Sequence, residues 1–131
     1  MYCKNTYKGG YEKSELRKAL KSKEVLNIFK NIRDRMMPFD NGDLLRIPFA
    51  GEFFGDNIPE WCESDGYKQW PLMKNKTNRV VLRQGNYEWG WLQNKDKNRS
   101  YGCAYVNDKG DIGDSYLTSD IGVRLVFMIE I

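Results

Sequence analysis

Trp89-Gly90-Trp91-Leu92, Tyr101-Gly102-Cys103-Ala104-Tyr105-Val106-Asn107, Asp108-Lys109-Gly110 and Ile112-Gly113-Asp114-Ser115-Tyr116-Leu117-Thr118 together decide the fold of this 131-residue chain. Short runs rich in aromatic and β-branched residues, bounded by Asp and Gly, read as strands joined by tight turns. Asp108-Lys109-Gly110 supplies residues that tolerate positive φ, so the runs on either side pair antiparallel as a hairpin. Further on, Gly122 leads into Val123 to Ile131. There Val123, Leu125, Phe127, Ile129 and Ile131 share one face, and Arg124, Val126, Met128 and Glu130 share the other. Apolar residues on both faces predict a central strand.

Upstream the period changes. Asn5 to Tyr11 is a polar loop containing Gly9-Gly10, and Ser14 stands near the start of a helical pattern. Leu16, Ala19 and Leu20 form one apolar stripe, and Val25, Ile28, Phe29, Ile32 and Met36 form a second. Two short helices are expected, with a break near Ser22. Pro38 stops the second, and Asp40-Asn41-Gly42-Asp43 has turn chemistry. Leu44 to Ile47 reads as a short buried strand, and Phe49 to Phe54 as a short helix that Gly55 ends. From Asp56 to Tyr87 periodicity fades, and the long loop carries Trp61, Tyr67, Trp70, Leu72 and Met73, of which the aromatics read as staples to the core.

Length predicts one domain, which buries roughly two thirds of the surface of its unfolded chain. Apolar residues at 40% and charged residues at 30% are ordinary for globular chains, whereas aromatics at 14% are high. Net charge is +3. Basic residues crowd the beginning (Lys4 and Lys8 through Arg35) and the middle (Lys68 through Arg99), and Asp108, Asp111, Asp114, Asp120 and Glu130 reverse the sign at the end. Such runs read first as solvated faces, because Glu12, Glu15, Glu24 and Asp34 interleave the early lysines and arginines.

With no histidine, Ser-His-Asp, Cys-His and His-containing zinc arrangements are excluded. Cys3, Cys62 and Cys103 are odd in number and widely spaced, so they imply neither a disulfide framework nor a zinc cluster. Each reads as a small buried hydrophobe. No phosphate-cradling glycine motif occurs. Neither a signal-peptide h-region nor a membrane-spanning stretch is visible, so a cytoplasmic protein with reduced thiols and no membrane partner is expected. Asp108, Asp111 and Asp114 lack EF-hand spacing and read as turn residues. No metal or cofactor is expected.

Several collinear pieces resemble a bacterial and phage domain family marked by G-G-W-x-x-S-x-L-R-x-x-L, D-x-L-x-L-L-S, W-W-L-R-S, V-x-x-x-G-x-[IV] and terminal G-V-R-P-A-F. The corresponding residues are Gly9-Gly10-Tyr11 with Ser14, Leu16, Arg17 and Leu20, then Asp43-Leu44-Leu45-Arg46-Ile47-Pro48. After them come Trp70-Pro71-Leu72 with Asn78-Arg79, Trp89-Gly90-Trp91-Leu92-Gln93-Asn94, Val106 through Ile112, and Gly122-Val123-Arg124-Leu125-Val126-Phe127. The resemblance covers about residue 9 to the C-terminus. It implies an α+β, C-type-lectin-like fold, related to formylglycine-generating enzymes, with two N-terminal helices packed on a small twisted antiparallel sheet with long irregular loops. Gln93 stands where the family commonly has Arg, and Leu125-Val126 replaces Pro-Ala. The family's upstream strands have no counterpart in this sequence, so a reduced or partner-completed sheet is expected.

Two function classes follow. The first is a non-catalytic binding module, phage- or prophage-related, that contacts a protein, for example as an inhibitor of a host defence complex. Its candidate contact residues are Gln93, Asn94, Arg99, Tyr101, Tyr105, Asn107 and Tyr116. Strand alternation displays Tyr105 and Asn107 together with Tyr101, and Tyr and Arg suit interfaces. Nucleic acid is the alternative target, through Lys74, Lys76, Arg79, Arg83, Lys95 and Lys97 with nearby aromatic rings. The second class is a formylglycine-generating-like oxidase. It is disfavoured because Cys62 and Cys103 lie far apart in the sequence and no nucleophile, base or metal set is assembled.

Overall fold

The computed structural model describes residues 10–131. Cys3, Lys4, Lys8 and the loop from Asn5 to Gly9 lie outside the described residues. The chain is mixed helix and small antiparallel sheet, as the sequence predicts at that level.

A 3-10 turn over Tyr11–Lys13 leads to helix α1 (Glu15–Leu20), and α2 covers Lys23–Asn27. Both of these helices start on a serine whose hydroxyl accepts a backbone N–H: Ser14 from Arg17 at 3.0 Å, and Ser22 from Val25 at 3.3 Å. These caps satisfy donors that the first turn leaves orphaned. The predicted second helix does not reach Met36. Beyond Asn27 the chain continues in i to i+3 hydrogen-bonded turns, Phe29 N–H to Leu26 O and Ile32 N–H to Phe29 O among them. A tighter winding rotates Ile28 out of the apolar stripe, and it is 74% exposed. Met36 is instead in a two-residue strand, β1 (Met36–Met37).

Helix α3 (Ala50–Phe54) ends at Gly55, whose φ of 62° is one that side chains resist. Leu45 and Ile47 are buried as predicted, but the segment makes only an isolated bridge, Arg46 to Val126. The expected loop from 56 to 87 is more ordered than its sequence suggests. It holds 3-10 turns over Pro71–Lys74 and Lys76–Arg79, strand β2 (Val81–Arg83) and most of β3 (Asn86–Glu88). A Gln84-Gly85 turn with both φ values positive joins these two strands.

The main sheet has the order β4 (Gly90–Lys95), β5 (Gly102–Val106), β6 (Ile112–Tyr116), all antiparallel. Trp91 faces Tyr105 and Lys95 faces Cys103, so Leu92, Gln93 and Asn94 bulge against Ala104 alone. The Cys103 thiol lies 3.1 Å from Leu92 O and 3.0 Å from Asn94 O, inside that bulge.

Both faces of this sheet are filled. On one, Trp91 and Cys103 join Tyr11, Leu16, Leu20, Leu45, Ile47, Leu117 and Ile121. On the other, Leu92, Ala104 and Val106 pack against Ala50, Phe53 and Phe54 of α3 with Cys62 and Met73. Trp61 and Trp70 pack at the margin of this second core, which is the stapling role expected of them.

The last segment departs from the predicted continuous central strand. Gly122 bonds Trp89 and Trp91, Val126 bonds Arg46, and Glu130 N–H donates to Arg35 O. Only β7 (Met128–Ile129) is strand, paired with β1. The segment takes three partners in turn, so no single ladder forms. Of the five residues expected to share a face, Leu125 and Phe127 pack on the core while Val123, Ile129 and Ile131 are exposed.

Candidate functional site

Three of the candidate contact residues converge where β5 begins and β6 ends. Gly102 faces Tyr116 in the ladder, and Leu117 N–H donates to Tyr101 O at 3.0 Å. The two tyrosine rings consequently stack, with centroids 5.3 Å apart and planes 20° from parallel. They stay 39% and 61% exposed, unlike most aromatic side chains of the chain's two cores. Asp114 lies two residues before Tyr116, on the same face, and its carboxylate is 3.6 Å from the Arg99 guanidinium. Together these residues line a cleft of about 110 Å³ whose floor is Gly102.

Asp96 sits just behind that cleft. It is buried, and one oxygen accepts the Asn98 N–H at 2.8 Å. A hydrogen bond with the Asp96 carboxyl holds Asp114 above the usual carboxylate range. Burial and the Asp96 charge push the same way, and Arg99 opposes them. Two carboxyls this close disfavour each other's charged form, so Asp114 gives up its proton less readily than a free carboxyl does.

A second concavity lies on the α1 side. Adjoining clefts of about 420 and 320 Å³ share Glu12, Phe49, Tyr67 and Gln93 in their walls. Phe49 and Tyr67 stack at 4.3 Å. Gln93 is fixed by donating from Nε2 to Ile47 O at 2.9 Å. Arg46 runs along the larger cleft between the rings of Phe39 and Phe49, 4.6 and 5.2 Å from their centroids. Both of its terminal nitrogens bond Glu52, at 2.8 and 2.7 Å. Burial first, and then the Asp43 charge, push the Tyr11 phenol at the cleft's edge up to about 12. Sequence reasoning passed over Arg46 and Glu52. The available signal was a lone arginine between Leu45 and Ile47, with a lone glutamate among Phe49, Phe53 and Phe54.

The other candidate contact residues have internal roles. Asn94 is buried: its Oδ1 accepts the Ala50 N–H, and its Nδ2 donates to Glu63 O and to Asp65 Oδ2. It pins α3 and the 63–65 segment to β4. Asn107 Oδ1 accepts the N–H groups of Lys109 and Asp111, which holds the hairpin turn. Tyr105 is half-buried over Gly113 and stacks on Trp89 at 4.6 Å. The expected joint display of Tyr101, Tyr105 and Asn107 is therefore not formed, because the face that carries Cys103 and Tyr105 is a core face.

The basic residues of the nucleic-acid alternative do not gather. Lys76 pairs with Asp111 at 2.8 Å. Arg79 lies over the Phe54 ring and donates to Met73 O and Gly110 O. Both adjoin the β5–β6 turn. Lys95 and Lys97 sit at the opposite end of the sheet, about 15 Å away at the rise of a strand. Lys74 and Arg83 are exposed, the latter on the β2–β3 hairpin.

Among the described residues no group of three or more Cys, Asp or Glu could hold a metal ion, and no helix is long and apolar enough to cross a membrane. Compared with known proteins, the chain matches no family model, no curated protein and no solved structure.

Proposed function

We propose that this chain is a non-catalytic module that binds another protein, on a C-type-lectin-like frame of bacterial phage or prophage type. One observation carries the reading: the Tyr101–Tyr116 stack stands in solvent beside Arg99 and Asp114 while both faces of its sheet are already packed. Rings that contribute nothing to either core, flanked by a guanidinium and a carboxylate, have the composition of protein interfaces. The layering of α1 and α2 against a small antiparallel sheet supports the lectin-like frame. A host-directed role, such as occluding a defence complex, is the biological setting we favour.

Affinity capture from bacterial lysate, with and without nuclease, tests the reading. A partner that survives nuclease and is lost from the Tyr101→Ala/Tyr116→Ala variant supports it. Capture that collapses on nuclease treatment transfers the function to nucleic acid.

A further inference from the structure

Among the described residues the main sheet has one covered edge and one open edge. Along β4, Trp91 N–H donates to Gly122 O, Gly122 N–H to Trp89 O and Gln93 N–H to Pro48 O, so that flank is occupied. The β6 flank differs. Asn107 N–H bonds Asp111 O at 2.8 Å and Leu117 N–H bonds Tyr101 O at 3.0 Å, which fixes the alternation between them. Ser115 and Gly113 turn their backbone groups toward β5, and Ile112, Asp114 and Tyr116 turn theirs outward.

Tyr116 O receives the Ser119 N–H, and the Asp114 N–H lies against its own carboxylate. Among the described residues, no hydrogen bond reaches the outward N–H of Ile112 or Tyr116, or the outward C=O of Ile112 or Asp114. From Ile112 to Tyr116 this open edge extends about 13 Å at the rise of a strand.

Open edges recruit strands, and a charge at the centre is a common guard. Here the guard selects the occupant. A second copy pairing edge to edge about a two-fold axis would place Asp114 opposite Asp114, like charges facing each other. A strand with Lys or Arg at that position would meet complementary charge. Its cation would share the face of Asp114, with Asp96 behind the carboxylate and the Tyr116 ring one pleat along. A tyrosine face attracts a cation placed over it. Arg99 already brings a guanidinium within 3.6 Å of Asp114, and because the Arg99 side chain is mostly exposed and Asp114 partly so, that contact is readily exchanged.

We propose that the outer edge of β6 is where a partner adds an extended strand, and that this strand carries Lys or Arg opposite Asp114. The inference rests on the protein-binding reading and names its geometry.

The probes are the capped heptapeptide Thr-Val-Thr-Arg-Thr-Val-Thr and its counterpart with Glu at the centre, titrated into the ¹⁵N-labelled full chain. Shifts and slowed amide exchange centred on Ile112, Asp114 and Tyr116 are expected, with the Arg peptide tighter by about fivefold, the scale of one exposed ion pair plus one cation–π contact. Asp114→Asn keeps the edge and removes the charge, so the two peptides should then bind alike. Equal affinities for the unmodified chain, shifts centred in the groove by Gln93, or no binding of either peptide at millimolar concentration would overturn the proposal. Asp114→Pro removes an outward N–H and no ladder bond. If a folded Asp114→Pro chain still captures its lysate partner, protein binding stands and the strand-addition geometry falls.

Discussion

Replacing Glu52 with Gln tests whether the Arg46–Glu52 pair organises the larger groove. The Arg46 and Glu52 side chains are only 12% and 3% exposed, and they meet through two short hydrogen bonds. Glu52 Oε1 also accepts the Phe49 N–H at 2.9 Å, so one carboxylate anchors both the start of α3 and the guanidinium. Gln keeps one acceptor and presents an NH2 to a cation that stays buried. Removing one partner of a buried pair costs about 3–5 kcal/mol, and the residual exposure of Arg46 places this case near 3 kcal/mol. For a chain of this length that lowers Tm by about 12 °C. Urea unfolding followed by circular dichroism measures it, and Arg46→Met/Glu52→Leu should recover most of the loss, because it removes both charges together. A Glu52→Gln chain within about 0.5 kcal/mol of the original, or strictly additive losses in the double variant, would refute the reasoning.

Gly113→Ala places a methyl 2.9 Å from the Tyr105 ring, which must move off Trp89; a changed tryptophan emission and a loss of about 1 kcal/mol are expected. Burial, with the charges of Asp65 and Glu63, pushes the Cys62 thiol up to about 12, and Cys103 is buried as well. Iodoacetamide at pH 8 should therefore leave both unlabelled in the folded chain, as read by peptide mass mapping. Asp114 binds its proton more tightly folded than unfolded, so its contribution to stability is full below about pH 4 and is lost as pH rises through its folded pKa. Asp114→Asn should accordingly raise Tm at pH 7 and leave it nearly unchanged at pH 3, and an equal change at both values would count against the coupling of Asp114 to Asp96.

Local chemistry was the part of the fold that the sequence made legible. Ser14 at a helix start, Gly55 at a helix end, the Asp108-Lys109-Gly110 turn and the strands around it all act through near neighbours, and each forms where its residues indicate. Features set by distant partners were not legible. Period-two alternation in Tyr101 to Asn107 shows that two faces exist, but it cannot show that α3 covers one while Leu45 and Ile47 join the cover of the other. Alternation alone therefore places Tyr105 and Asn107 on display. Asn94 is polar in a strand, and only the amide of Ala50, forty-four residues away, gives it an internal role. The run from Val123 to Ile131 has the composition of a strand, yet its successive partners lie in different segments. The Gln84-Gly85 hairpin was missed because positive φ at Gln leaves little compositional trace. The meeting of Arg99, Tyr101 and Tyr116 was half legible: all three were candidates, but their contact depends on the pairing of Gly102 with Tyr116.

The bulge in β4 constrains how this gene can tolerate insertions and deletions. Leu92, Gln93 and Asn94 stand against Ala104 alone, so the strand carries two surplus residues and its in-out phase is preserved on either side. Deleting one would invert the phase of everything beyond it, sending Asn94 away from Ala50 and Asp65 and Gln93 out of the groove. Deleting both would restore phase but flatten the kink that the Cys103 thiol fills. Deletions across residues 92–94 are therefore expected to cost either the phase or the packing of this strand, whereas substitutions there leave the phase intact.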